Sequence, residues 1–158
     1  MPEDRVLTGR AGWVVRIVVT VHLLAVFAQS VLAGRFLSGD YDSLQLHLIN
    51  GMVILGLAVA QFVAGAVLRR AGGPVWPQRA AIRVLVVEAL QFSFGYERIT
   101  ALHVPLGVML IVWLTMLTGR AWQRPDPGRP PGRSSRRPGR ALVRRRGGET
   151  PEDATENR

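Results

Sequence analysis

Apolar positions fall into four long runs along the chain, and the lengths of those runs set the class of protein before any single residue does. A helix needs roughly 20 mostly apolar residues to cross about 30 Å of hydrocarbon. Runs at about 13–34, 44–68, 80–96 and 100–118 are read as spans on that basis. The pattern predicts an all-α, four-helix transmembrane bundle over residues 12–119, made of two helical hairpins and preceded by a cytoplasmic N-terminus of residues 1–11.

The polar interruptions grade these runs. In the first, Arg16, His22 and Gln29 break the apolar sequence, and Arg16 sits near the end, where it is expected to snorkel to the headgroups. Arg5, Arg10 and Val31-Leu32-Ala33 loosely resemble a secretory leader. The run is longer than a leader's apolar region and carries a histidine and a glutamine, so it is read as an uncleaved first span. The second run is the cleanest, with His47, Asn50 and Gln61 in Val/Leu/Ala/Gly sequence. The third carries Arg83, Glu88 and Gln91 and by itself resembles an amphipathic surface helix. It is assigned as a span because otherwise the second and fourth runs would face opposite ways. In the fourth, Thr100 is the expected N-cap, and Pro105 falls near the first turn, where a missing N–H costs little.

One phrase occurs twice. Leu46-His47-Leu48-Ile49-Asn50-Gly51 recurs 56 residues on, from His47 to His103, as Leu102-His103-Val104-Pro105-Leu106-Gly107. Positions i and i+4 share a helix face, so each ring is expected to stand over the open space of Gly51 or Gly107. Each histidine-bearing run follows one with a glutamine near its outer end: Gln29 ahead of Gly34, and Gln91 ahead of Gly95. The frame is that of an internal duplication, whose sites tend to lie where the repeats meet. On the second run, Gly51, Ala58, Gln61 and Gly65 lie within about 40 degrees to either side of His47, a small and polar stripe suited to a bundle interior.

Charge sets the orientation. Arg5, Arg10 and Arg16 precede the first span, and Arg69, Arg70 and Arg79 lie between the second and third. The other two connections carry Arg35 with Asp40 and Asp42, and Glu97 with Arg98. The positive-inside rule then places both termini in the cytoplasm and both histidines just inside the outer surface. The 48% hydrophobic content and net charge of +9 occupy different regions, because 11 of the 20 basic residues fall in residues 120–158. That Arg/Pro/Gly/Ser-rich segment is expected to be a disordered cytoplasmic tail that helps to set topology. Arg136, Arg137, Arg140 and Arg144 to Arg146 are its candidates for contact with anionic lipid, and adjacency to a span disfavours nucleic acid. The chain has no cysteine, which removes disulfides, thiolate metal sites, iron-sulfur clusters and thioether-linked haem. There is no phosphate-binding glycine loop and no nucleophile signature, which argues against a soluble enzyme.

Two histidines at one depth match what bis-histidine ligation of a b-type haem requires, with one imidazole on each face of the iron. His47 and His103 are the candidate ligands, with Gly51, Gly107, Gln29 and Gln91 beside them. The competing reading is a scaffold or accessory subunit whose histidines bond neighbouring helices or headgroups. A third reading, a small proton-coupled transporter, rests on His22 and Glu88, two ionisable groups within the hydrocarbon.

Histidines opening the second and fourth helices, each followed by glycine, resemble one half of haem A synthase and, more loosely, membrane cytochromes b. The stretch from about residue 12 to 120 also resembles small four-span bacterial membrane proteins of unknown function, which implies a bacterial plasma membrane. The synthase resemblance implies a haem held at His47 and His103; the expected partners of the bundle are a membrane redox partner or a second copy of the chain. It does not carry the synthase reaction, because Leu44 stands where that family places an acidic residue and the outer loops lack its cysteine pair.

Overall fold

Each apolar run continues as a single helix until a turn-forming sequence stops it. In the computed structural model, which describes residues 7–123, these are α1 (Gly9–Leu37), α2 (Asp42–Arg70), α3 (Trp76–Tyr96) and α4 (Thr100–Ala121). Gly39 ends the first hairpin turn at φ 98°, and Gly72 ends α2 at φ 80°, conformations that a side chain would strain. Pro77 opens α3 in its first turn, where no amide is required.

The helices overrun the predicted spans by up to a turn, because Arg35, Asp42, Arg70 and Trp76 flank the apolar runs yet continue the helix. Thr100 is the first residue of α4 rather than its cap. Ile99 occupies the cap position, and no side chain caps there. The tail predicted from residue 120 begins later than expected, since α4 runs to Ala121 and Trp122 Nε1 donates to Thr20 Oγ1 at 3.1 Å. The rest of that tail, with its candidate lipid-contacting arginines, lies outside the described residues, as do residues 1–6.

The four helices form a ring in which α1 packs on α2 and α4, and α3 packs on the same two. Val15, Val19, Leu68, Val84 and Leu114 fill its centre. The tightest backbone approach between two helices is at Gly65, where a Cβ would lie 2.8 Å from the backbone of Gln78. Closure is uneven along the axis. Toward the end carrying the α1–α2 and α3–α4 turns, here the hairpin end, the buried positions within the helices stop at Val26, Ile54, Glu88 and Leu110, leaving Ser43 in the first turn of α2 as an exception. Beyond that level the bundle is only half-closed.

The outer surface is apolar, with Val14, Ile17, Val21, Leu24 and Phe27 exposed on α1 alone. Three helices, α1, α2 and α4, are long and apolar enough to cross a membrane, as expected of a helical membrane protein. The remaining helix, α3, is mixed: Ala80, Ala81, Val84 and Glu88 are buried against the bundle, while Ile82, Arg83, Val86 and Leu90 face outward.

Arg16 is tied to the protein at the termini end of the bundle. Its Nε donates to the Ala121 carbonyl at 2.8 Å and its Nη2 to that of Leu7 at 3.0 Å, with the guanidinium 5.1 Å from the Trp13 ring and 5.7 Å from that of Trp122. It satisfies a free carbonyl at the C-terminus of α4, where the helix dipole favours a cation.

Candidate functional site

Two polar constellations occupy the bundle, one at the half-closed hairpin end and one at mid-depth. The first unites the repeated histidines. His47 enters from the second turn of α2 and His103 from the first turn of α4, and their ring centroids are 6.2 Å apart with planes inclined at 61°. Both rings are oriented in the same way. His47 Nδ1 lies 3.2 Å from the Gln29 backbone carbonyl and His103 Nδ1 2.9 Å from that of Gln91, so each donates to the preceding helix and leaves Nε2 as the free ring nitrogen.

The glutamines predicted beside the histidines are therefore brought to them, but the main chain makes the contact. Their side chains do something else. Gln29 Nε2 donates to the His47 carbonyl at 2.9 Å, and Gln29 Oε1 accepts from Asn50 Nδ2 at 2.7 Å, while Asn50 also donates to the Ala25 carbonyl at 2.9 Å. Asn50 thus locks α2 to α1 beneath His47. It was visible in the sequence only as a polar residue in an apolar run.

The expected empty space over the two glycines is filled. A Cβ at Gly51 would meet Gln29 Nε2 at 3.4 Å and the Phe92 ring at 3.7 Å, and one at Gly107 would meet Gln91 Nε2 at 2.9 Å. Each glycine admits the glutamine of the preceding helix, in both copies of the repeat. The wider pairing of Gln29 with Gly34 and Gln91 with Gly95 does not hold, because Gly34 faces open space while a Cβ on Gly95 would come within 2.7 Å of His103 Cε1.

The donor set fits a metal-centred planar group in one specific respect. Two ring centroids 6.2 Å apart are within the span that two metal–nitrogen bonds of about 2.0–2.1 Å and the rings themselves could cover. The Nδ1–H to carbonyl bond is the customary outer-sphere partner of a ligating histidine. Both rings are half-buried, so a group held between them would reach the open hairpin end. Among the described residues, no cluster of three or more His, Cys, Asp or Glu side chains is present, so any metal there rests on the histidine pair.

The second constellation unites His22 and Glu88 and adds a residue not anticipated as their partner. His22 Nδ1 lies 2.8 Å from Gln61 Oε1, and its Nε2 lies 2.8 Å from Glu88 Oε1. The three residues are 0%, 5% and 3% exposed, which makes this the most deeply enclosed polar group in the bundle. Gln61 belongs to the small and polar stripe of α2, and that stripe was the signal that could have found it.

No family model, curated protein or solved structure matches the chain. The fold and its polar groups define a helical membrane protein with a paired-histidine site at one end and a buried imidazole–carboxyl pair at its centre.

Proposed function

We propose that the chain is a four-span membrane protein that holds one b-type haem between His47 and His103 and serves in electron transfer or haem handling. α3 is the fourth span, its apolar face toward lipid and Glu88 turned inward. Both termini lie on the cytoplasmic side, as the arginines around the first span and between α2 and α3 require, and the hairpin end faces outward.

One observation carries this reading: two histidines of a repeated phrase, each oriented by an Nδ1 bond to the glutamine carbonyl of the preceding helix, stand 6.2 Å apart. A haem ligated on both faces exchanges single electrons and has no open position for substrate. The protein's part is to fix the two Nε2 atoms, through Gln29 and Gln91, and to keep the site near the surface, within reach of a membrane redox partner.

The optical spectrum of full-length protein purified in detergent from haem-replete cells tests this. A Soret band is expected, lost in both His47→Ala and His103→Ala. Colourless wild-type protein would overturn the reading and leave the scaffold alternative.

A further inference from the structure

His22 and Glu88 take no part in holding a group between His47 and His103, and they lie at a depth where an ionisable side chain is costly. Their hydrogen-bond roles follow from the acceptor each faces. Gln61 presents Oε1 to His22 Nδ1, so Nδ1 carries a hydrogen. His22 Nε2 and Glu88 Oε1, 2.8 Å apart, then share one proton, either as O–H to N or as N–H to carboxylate. Both forms sum to zero charge, which a low-dielectric interior favours.

Among the described residues, no other ionisable group fixes that state. α4 carries none between His103 and Arg120, and α2 none between His47 and Arg69. On α1 the nearest is Arg16, bonded to the Leu7 and Ala121 carbonyls. On α3 it is Arg83, which is exposed.

Four buried polar atoms lack a partner of full hydrogen-bond geometry among the described residues: His22 Nε2 and Glu88 Oε1, which face each other at 2.8 Å, and two oxygens with no such neighbour, Glu88 Oε2 and Gln91 Oε1. The last two belong to residues one turn apart on α3, about 4.5 Å along the axis, and Gln91 borders the half-closed hairpin end. Two buried acceptors that face no donor call for one between them, and water is the donor that fits.

We propose that the His22–Glu88 pair is a proton-exchange site that communicates with the hairpin end through water held between Glu88 Oε2 and Gln91 Oε1. Loading adds one proton from water to Glu88 Oε2. The proton shared at Oε1 is then held on His22 Nε2, the Oε1–H bond breaking as Nε2–H forms. The loaded site is a neutral carboxylic acid beside an imidazolium whose Nδ1–H remains on Gln61 Oε1, and its net charge is one unit higher. Unloading reverses both steps, and no electron moves.

The test is infrared spectroscopy of the full-length protein in lipid bilayers, stepped in pH from mildly acid to mildly alkaline. Expected is a carboxylic-acid band that shifts in D2O, changes with pH, and is lost in Glu88→Gln. In His22→Gln the band should no longer respond to pH. Gln91→Leu should slow the D2O shift while leaving the pH response in place. A band that ignores pH, with equal exchange in wild type and Gln91→Leu, would overturn the proposal and leave a static hydrogen bond. Should Glu88→Gln not fold, the ring-nitrogen NMR signals of His22 in labelled wild-type protein decide the same question: change across the pH range supports exchange, and constancy overturns it. None of these readouts depends on haem.

Discussion

His103 Nδ1 donates to the backbone carbonyl of Gln91 at 2.9 Å, and Gly95, one turn further along α3, is what lets the ring lie against that helix. A Cβ at Gly95 would stand 2.7 Å from His103 Cε1, whereas Gly34, its nearest counterpart in the first hairpin, has open space around it. Gly95→Ala should therefore displace the ring, cost about 1–3 kcal/mol as overpacking does, and, on the proposed haem reading, reduce the Soret absorbance per protein. Gly34→Ala should leave the absorbance intact and stabilise α1 by about 0.5–1 kcal/mol, the usual gain for Gly to Ala within a helix. Thermal unfolding in detergent, read beside the spectrum, separates the two.

Arg16 holds the termini end of the bundle. Because its guanidinium bonds the Ala121 and Leu7 carbonyls and lies against Trp13 and Trp122, Arg16→Ala should cost about 1.5–3 kcal/mol, the range for a hydrogen bond to a charged group. Arg16→Lys should recover less than half of that, since an ammonium cannot form the planar fork. Trp122 fluorescence should move toward that of a solvated indole in both variants. Equal stability of wild type and Arg16→Ala would show that the arginine only marks topology.

The Arg16 cap on α4, which no local pattern announced, shows what the sequence could not carry. Run length and the polar stripe of α2 suffice to place four helices and to say which face of α2 turns inward, because both depend on local spacing. The Arg16 cap depends on a carbonyl 105 residues away, and the Gln61 bond to His22 on one 39 residues away. No periodicity encodes such pairings. The glycines misled for a related reason: a Gly at i+4 from His is open toward whatever the neighbouring helix supplies, and here that helix supplies a glutamine. Arg120 and Trp122 looked like the start of the tail by composition, yet Arg120 stacks 4.5 Å from the Trp76 ring and Trp122 bonds Thr20.

In the first hairpin turn, Asp40 Oδ2 accepts from Ser43 Oγ at 2.9 Å and from Arg35 Nε at 2.9 Å, with the Arg35 Nη2 contact at 2.6 Å. The Ser43 hydroxyl, and next the Arg35 guanidinium, hold the Asp40 carboxyl below its ordinary range. A carboxyl whose folded value is depressed adds stability above its unfolded value and loses it as pH falls through the folded one. The melting-temperature gap between wild type and Asp40→Asn should thus be present at neutral pH and close under acid conditions, below the ordinary carboxylate range. It should also shrink in high salt, since the pair is exposed. A gap independent of pH would assign the effect to turn geometry instead.

The most severe single substitution should fall at Gly65, which belongs to neither polar group. A Cβ there would lie 2.8 Å from the backbone N and Cα of Gln78 and 3.1 Å from the Pro77 carbonyl carbon, so main chain rather than a movable side chain must yield. The N-terminus of α3, already fixed by Pro77, has little freedom to retreat. Gly65→Val should separate α2 from α3 at the termini end and lower stability by more than the roughly 1–3 kcal/mol of ordinary overpacking. Because Gln61 lies one turn away on the same face of α2, the shift should also lengthen the Gln61 contact to His22 and change the His22 ring-nitrogen signals. Protein that unfolds like wild type, with those signals unmoved, would mean that the α2–α3 approach is looser than the described packing.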